Sequence, residues 1–253
     1  MVTELPRLVR FPDCIRCPYS DTGPAELCMT CAERRLERPG PDACTVCGQR
    51  CGPSNRCPNE LCRSPTRRID RIHAIGYQTG PLRQAINDYK FRGQRSMDAV
   101  FGRILLSWLE ETMTNDPPDL ILANPSFVGR GGQLFAHTEA VLQAAAREAA
   151  ERPTDMSHWR FDTAGARAIV KTKATLRSSD MQAWSKRAAA VDLKHALRVP
   201  DTTRTRGRYL LVYDDVCTTG SQLDTVAGCL LDQGEAARVD GVVLARAPWR
   251  GSR

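Results

Sequence analysis

Nine of the eleven cysteines in this 253-residue chain fall between Cys14 and Cys62, and that crowding limits what the N-terminal segment can be. Cys14 and Cys17, Cys28 and Cys31, and Cys44 and Cys47 form three pairs with two-residue spacers. Cys57 and Cys62 form a fourth pair with a four-residue spacer, and Cys51 is left over. A spacer of this length lets two thiolates from one turn reach one ion, and two such knuckles complete a tetrahedral site. The segment has few apolar positions and many Gly and Pro, so metal binding takes the place of the missing core. Eight ligands make two structural sites, read as zinc, with an iron–sulfur cluster or free thiols as alternatives. Pairing stays open between sequential sets (14/17/28/31 and 44/47/57/62), an interleaved arrangement, and Cys51 in place of Cys57. The opening MVTELPRLVRFPDC has no apolar stretch of the secretory kind, so a reducing, cytoplasmic location is expected and disulfides are not.

After Arg71 the texture changes to alternating apolar stretches. Residues 1–68 are read as the Cys-rich zinc-ribbon segment and 69–253 as the main domain, with 69–95 as a hood or junction. At 42% hydrophobic and 26% charged residues a real core is expected, and no run approaches the ~20 apolar residues of a membrane span. Apolar residues at 100/101, 104/105 and 108/109 share one helix face, and Asn115-Asp116-Pro117-Pro118 stops that helix. Leu120–Ala123 reads as a short buried strand, followed by a loop from Asn124 to Gly132. His137–Ala150 is Ala-rich and helical. Ala168–Val170 and Tyr209–Tyr213 read as strands. Leu223, Val226, Ala227, Leu230 and Leu231 stripe a last helix before a strand over Val239–Leu244. Strands alternating with helices imply an α/β fold with a parallel sheet and crossover helices.

The strongest functional pattern sits in Val212-Tyr213-Asp214-Asp215-Val216-Cys217-Thr218-Thr219-Gly220-Ser221. A strand here delivers two carboxylates to the crevice where open α/β sheets bind ligands. Adjacent carboxylates suit a vicinal diol. The Thr-Thr-Gly-Ser turn offers backbone N–H groups at a helix start, which suits an anion. Diol and phosphate recognition so close together describe a ribose 5-phosphate.

This segment resembles the phosphoribosyl-pyrophosphate motif of type I phosphoribosyltransferases. Together with the Cys pairs, Tyr77-x2-Gly80-Pro81-Leu82-Arg83 and Lys90-Phe91-Arg92-Gly93, the chain resembles the competence-associated ComF family from Cys14 to about Trp249. The resemblance implies a zinc ribbon ahead of a type I phosphoribosyltransferase-like domain, phosphoribosyl pyrophosphate with magnesium, and transfer to a nitrogenous acceptor. On this reading Asp214, Asp215 and Arg130 are catalytic. Val216, Cys217, Thr218, Thr219, Gly220, Ser221, Pro125, Ser126 and Lys171 bind the phosphoribosyl pyrophosphate. Lys171, Lys173 and Arg177 look like the loop that closes over such a site. The chain departs from the family at Asn124–Gly132, where only the Pro and the Arg-Gly of the pyrophosphate loop remain. No residue set selects a particular acceptor.

A second class of function is a nucleic-acid-binding or regulatory module holding single-stranded DNA or RNA. Net charge is +7, and eight basic residues between Arg63 and Arg95 stand against two acidic ones. Such a groove suits polyanions, and ComF proteins are linked to DNA uptake. Lys90 and Arg92 are read either as surface charges or as pyrophosphate or nucleic-acid contacts. Stacking aromatics are scarce in the ribbon, which has only Tyr19 near its fingers.

Overall fold

A computed structural model of the chain describes residues 36–52, 56–128, 135–151, 158–163, 165, 167–175 and 183–249. Among them the apolar runs become strands β1 (Ile72–Tyr77), β2 (Leu120–Ala123), β3 (Val170–Lys171), β4 (Leu197–Arg198), β5 (Tyr209–Cys217) and β6 (Arg238–Arg246). Four of these form one parallel sheet in the order β1-β6-β5-β2. Both faces of a parallel sheet are covered, so its strands are apolar almost continuously. Leu210 to Tyr213 and Val242 to Ala245 are accordingly buried without a break.

The helices are α1 (Gly80–Phe91), α2 (Met97–Thr112), α3 (His137–Ala150), α4 (Ala183–Ala196) and α5 (Ser221–Asp232). The two-residue period of a strand sends alternate side chains to opposite faces. Leu211, Tyr213, Val242 and Leu244 pack with α1, α2 and α3. Leu210, Val212 and Val243 pack with α5 and with Leu193 of α4. On the first face α2 and α3 approach closely. A Cβ at Gly102 would lie 2.7 Å from the Ala145 backbone nitrogen, so only glycine lets these backbones touch.

Cys47 and Cys57 belong to the second face, against Ile69 and Ile72. The cysteine segment is thus docked on the sheet. It is held by Ala43 bridging Arg50, by a 3-10 turn over Glu60–Arg63, and by two bonds to β1. Ile72 N donates to Val46 O and Tyr77 N to Glu37 O, each at 2.7 Å.

Two expectations change. The strand expected over Ala168–Val170 is displaced to Val170–Lys171 and pairs antiparallel with β4, outside the main sheet. The free side of β2 is already occupied, since Ile121 N donates to Arg160 O and Asp162 N to Ile121 O, each at 2.8 Å. The strand expected to end at Tyr213 runs on to Cys217, because β6 continues to pair with it as far as Cys217↔Arg246. Residues 69–95, read as a hood or junction, supply the edge strand β1 of the main sheet and send α1 to the rim of the crevice described below.

Candidate functional site

Two features converge at the C-terminal end of β5. The first is the sulfur cluster. Cys44, Cys47, Cys57 and Cys62 place their Sγ atoms all within 4.8 Å of one another. Three of these separations are 3.8 Å (Cys44–Cys62), 3.7 Å (Cys47–Cys57) and 3.7 Å (Cys57–Cys62). A tetrahedron with Zn–S bonds of about 2.3 Å has edges of about 3.8 Å, so the donor set fits zinc in number, element and spacing. None of the four is in a disulfide. Left to themselves the thiols polarise one another. Cys47 is drawn down to about 4 by a hydrogen bond with Cys62, against the cost of burial, with help from the Arg246 charge. Burial and the neighbouring charge push Cys57 up to about 12, and the bond to Cys47 together with burial raises Cys62. A dication at the centre removes the conflict by favouring thiolate at every position.

The sequential arrangement is the one seen for this set. Cys51 stands outside the cluster, its sulfur donating to Gln49 O at 4.0 Å. Cys14, Cys17, Cys28 and Cys31, expected to hold a second ion, lie outside the described residues.

The second feature is a crevice of about 790 Å³ between β5–α5, the β2–α3 connection and the end of α1. Asp214 and Asp215, Val216 through Ser221, Pro125, Ser126 and Lys171 all line it. The acids sit on the strand itself, and each has a partner. Asn124 Nδ2 donates to Asp214 Oδ2 at 2.8 Å, and Lys90 Nζ lies 2.7 Å from Asp215 Oδ2. Burial and then the Asp215 charge raise Asp214 to about 7, with Lys90 opposing.

Gly220 has φ +82° at the head of α5, and a Cβ there would stand 2.7 Å from Ile72 Cδ1 and 2.9 Å from Leu61 Cδ2. The turn needs glycine for both reasons. Thr219 Oγ1 and Ser221 Oγ lie 3.0 Å apart at its mouth. Across the crevice Ser126 N donates to Glu139 Oε1 at 3.1 Å, and Thr138 Oγ1 donates to Asn124 O at 2.9 Å. Lys171 is half-buried, and that burial lowers its ammonium pKa. Lys173 is turned to Asp192 at 2.9 Å and does not line the crevice. Arg130 and Arg177 lie outside the described residues.

Sequence reasoning does not single out four contributors to this site: Asn124 beside Asp214, Glu139, Asn59 and Arg246. Asn59 Nδ2 donates to Thr219 O at 2.9 Å, and Arg246 Nη1 donates to Cys217 O at 3.0 Å. Lys90 takes its place on the acidic pair. Only a long-range pairing could have revealed these, because each partner is remote in sequence.

The basic junction is partly committed inside the chain. Arg67 donates to Ile69 O and Cys62 O, Arg68 pairs with Asp232, and Arg92 pairs with Asp88. Arg63, Arg71 and Arg83 are exposed. No helix among the described residues is long and apolar enough to cross a membrane.

The chain is therefore an α/β protein with a parallel sheet, flanking helices and a docked four-cysteine cluster fit for zinc. No family model matches it. It is similar to the DNA utilization protein YhgH of Salmonella typhi, with 27% identity over 215 residues that cover 83% of this chain and 86% of that protein. The protein of the same name from Escherichia coli strain K12 is 26% identical over 215 residues, again covering 83% and 86%. That of Shigella flexneri is 25% identical over 214 residues with the same coverage.

Proposed function

We propose that this chain is a ComF-type protein that binds a phosphoribosyl group in the crevice and transfers it from phosphoribosyl pyrophosphate to a nitrogenous acceptor. One observation carries the reading: paired carboxylates and a Thr-Thr-Gly-Ser turn at a helix start line the same cavity. The carboxylates accept from the ribose 2- and 3-hydroxyls, and the turn holds the 5-phosphate. Breaking the anomeric bond develops positive charge on the sugar. Asp214 and Asp215 lie where they oppose that charge, so positioning and electrostatics do the work. Asn124 and Lys90 already engage the acids. The ion implied by the resemblance would have to enter with the pyrophosphate.

Calorimetry with phosphoribosyl pyrophosphate and Mg²⁺, followed by a nucleobase panel, tests this. Asp214→Asn with Asp215→Asn removes two charge-assisted hydrogen bonds of about 1.5–3 kcal/mol each. Affinity should fall by roughly two to four orders of magnitude, with fold and zinc content unchanged. Thr219→Ala keeps the backbone N–H groups and should cost much less. No binding by the wild-type protein at millimolar ligand would sink the reading.

The name of the relatives favours a second role, in handling DNA, with the phosphoribosyl site as a sensor. The exposed Arg63, Arg71 and Arg83 are its candidate contacts with a single strand. Replacing any one of them with Ala should reduce the log–log salt slope of binding by roughly 0.7 if that arginine meets a phosphate. Binding that is independent of salt, or absent at low salt, would count against this role.

A further inference from the structure

The Arg246 side chain is fully buried, yet no carboxylate among the described residues pairs with it. A buried guanidinium requires a counter-charge or a full set of hydrogen bonds. Its Nη1 donates to Cys217 O at 3.0 Å, to Thr218 O, and to Cys217 Sγ at 2.9 Å. Its Nη2 donates to Cys47 Sγ at 3.6 Å. A dication held by four thiolates would carry a net double negative charge, the counter-charge this arginine needs. On the same side Asn59, from the cysteine segment, donates to Thr219 O at 2.9 Å.

The Thr218 and Thr219 carbonyls are thus drawn toward the cluster, next to that of Cys217, which the sheet also holds through Ala247 N of the segment after β6 at 2.9 Å. In a trans peptide the N–H points opposite to the C=O, and no peptide bond among the described residues is cis. The N–H groups of Thr218, Thr219 and Gly220 therefore face away from the cluster, on the crevice side that these residues line. None of the three donates a hydrogen bond to a described residue.

We propose that Asn59 and Arg246 are positioning residues through which the four-cysteine cluster turns the Thr218, Thr219 and Gly220 N–H groups toward a phosphate monoester. The metal site then sets the anion affinity of a loop it does not itself belong to. The ligand assignment rests on the phosphoribosyl reading above, whereas the clamp itself does not. Cys217 reports on the clamp independently, because its buried thiol lies under the Arg246 guanidinium and becomes reachable when the loop swings out. Cys229, buried on α5, serves as an internal reference for general loosening.

The experiment compares zinc-loaded wild type with Asn59→Ala and Arg246→Lys. It measures zinc content, ribose 5-phosphate binding by calorimetry, and iodoacetamide labelling of Cys217 against Cys229 by mass spectrometry. Asn59→Ala should keep its zinc, weaken ribose 5-phosphate binding about tenfold, the size expected for one lost hydrogen bond, and raise labelling at Cys217 but not Cys229. Arg246→Lys should act in the same direction and more strongly. If Arg246→Lys fails to fold, Asn59→Ala decides alone. Cys217 labelling that stays at wild-type level in zinc-loaded Asn59→Ala overturns the clamp, as does labelling that rises equally at Cys229. If wild type binds no ribose 5-phosphate while Cys217 still opens selectively, the clamp stands and the phosphoribosyl reading falls.

Discussion

The cysteine segment and the central sheet lie against one another but are stabilised by opposite means. The sheet has Leu210, Leu211, Val212 and Tyr213 in an unbroken buried run, with helices on both faces. Among the described residues the cysteine segment contributes only Leu36, Cys47 and Cys57 to the buried apolar set, beside the buried polar Gln49 and Asn59, and brings four sulfurs together at one point. Apolar burial is spread over many residues and degrades gradually when one is trimmed. A metal centre concentrates stability in one event and fails all at once.

Removing zinc should make this contrast largest. Structural zinc contributes about 10–16 kcal/mol in small finger peptides, so chelation or Cys44→Ser should unfold residues 36–62 outright. Hydrogen exchange should show that segment exposed while β5 and β6 stay protected. Simultaneous loss of both would mean that the two regions form one cooperative unit. A milder break comes from the other side. Leu211→Ala removes a fully buried side chain and should cost about 2–5 kcal/mol in denaturant melts, with zinc content unchanged.

Gly220→Ala probes the seam. Its φ of +82° and its closeness to Leu61 and Ile72 predict a loss of about 1–3 kcal/mol, together with weaker phosphate binding. An Ala variant as stable as wild type would show that the turn relaxes freely. The smallest effect is electrostatic. Asp214 is raised to about 7 from an ordinary 3.8, so between those values the folded state holds a proton that the unfolded state has released. Its contribution to stability is therefore full below the ordinary carboxylate range and is lost as pH rises toward 7. Relative to Asp214→Asn, the ligand-free wild type should lose on the order of 1 kcal/mol per pH unit between about pH 5.5 and 7. Parallel pH profiles would contradict the raised value.

The legible parts of the molecule are those where local pattern and final environment agree. His137–Ala150 forms the helix its alanines favour, and Cys44, Cys47, Cys57 and Cys62 meet as one of the sets that spacing leaves open. Sequence pattern stops β5 at Tyr213 because Asp is depleted in strands. Backbone pairing to β6 carries the strand through both acids regardless of their side chains. The short run at Ala168–Val170 misleads because sequence does not show that Phe161 already lies beside β2. Within the site, the acids and the Thr-Thr-Gly turn are readable as a motif. Asn59 and Arg246 are not, since each meets that motif from a remote point in the sequence, and a lone Asn or Arg has no local pattern.

The two bonds from β1 to Val46 O and Glu37 O have a further consequence. β1 is the outermost strand of the sheet on that side, and an uncovered outer strand is a template for pairing with another chain. The cysteine segment shields it. A chain that has lost its metal would keep most of its sheet yet present an open strand to its neighbours. Metal starvation should therefore appear first as self-association of nearly native molecules, before any general unfolding is detectable.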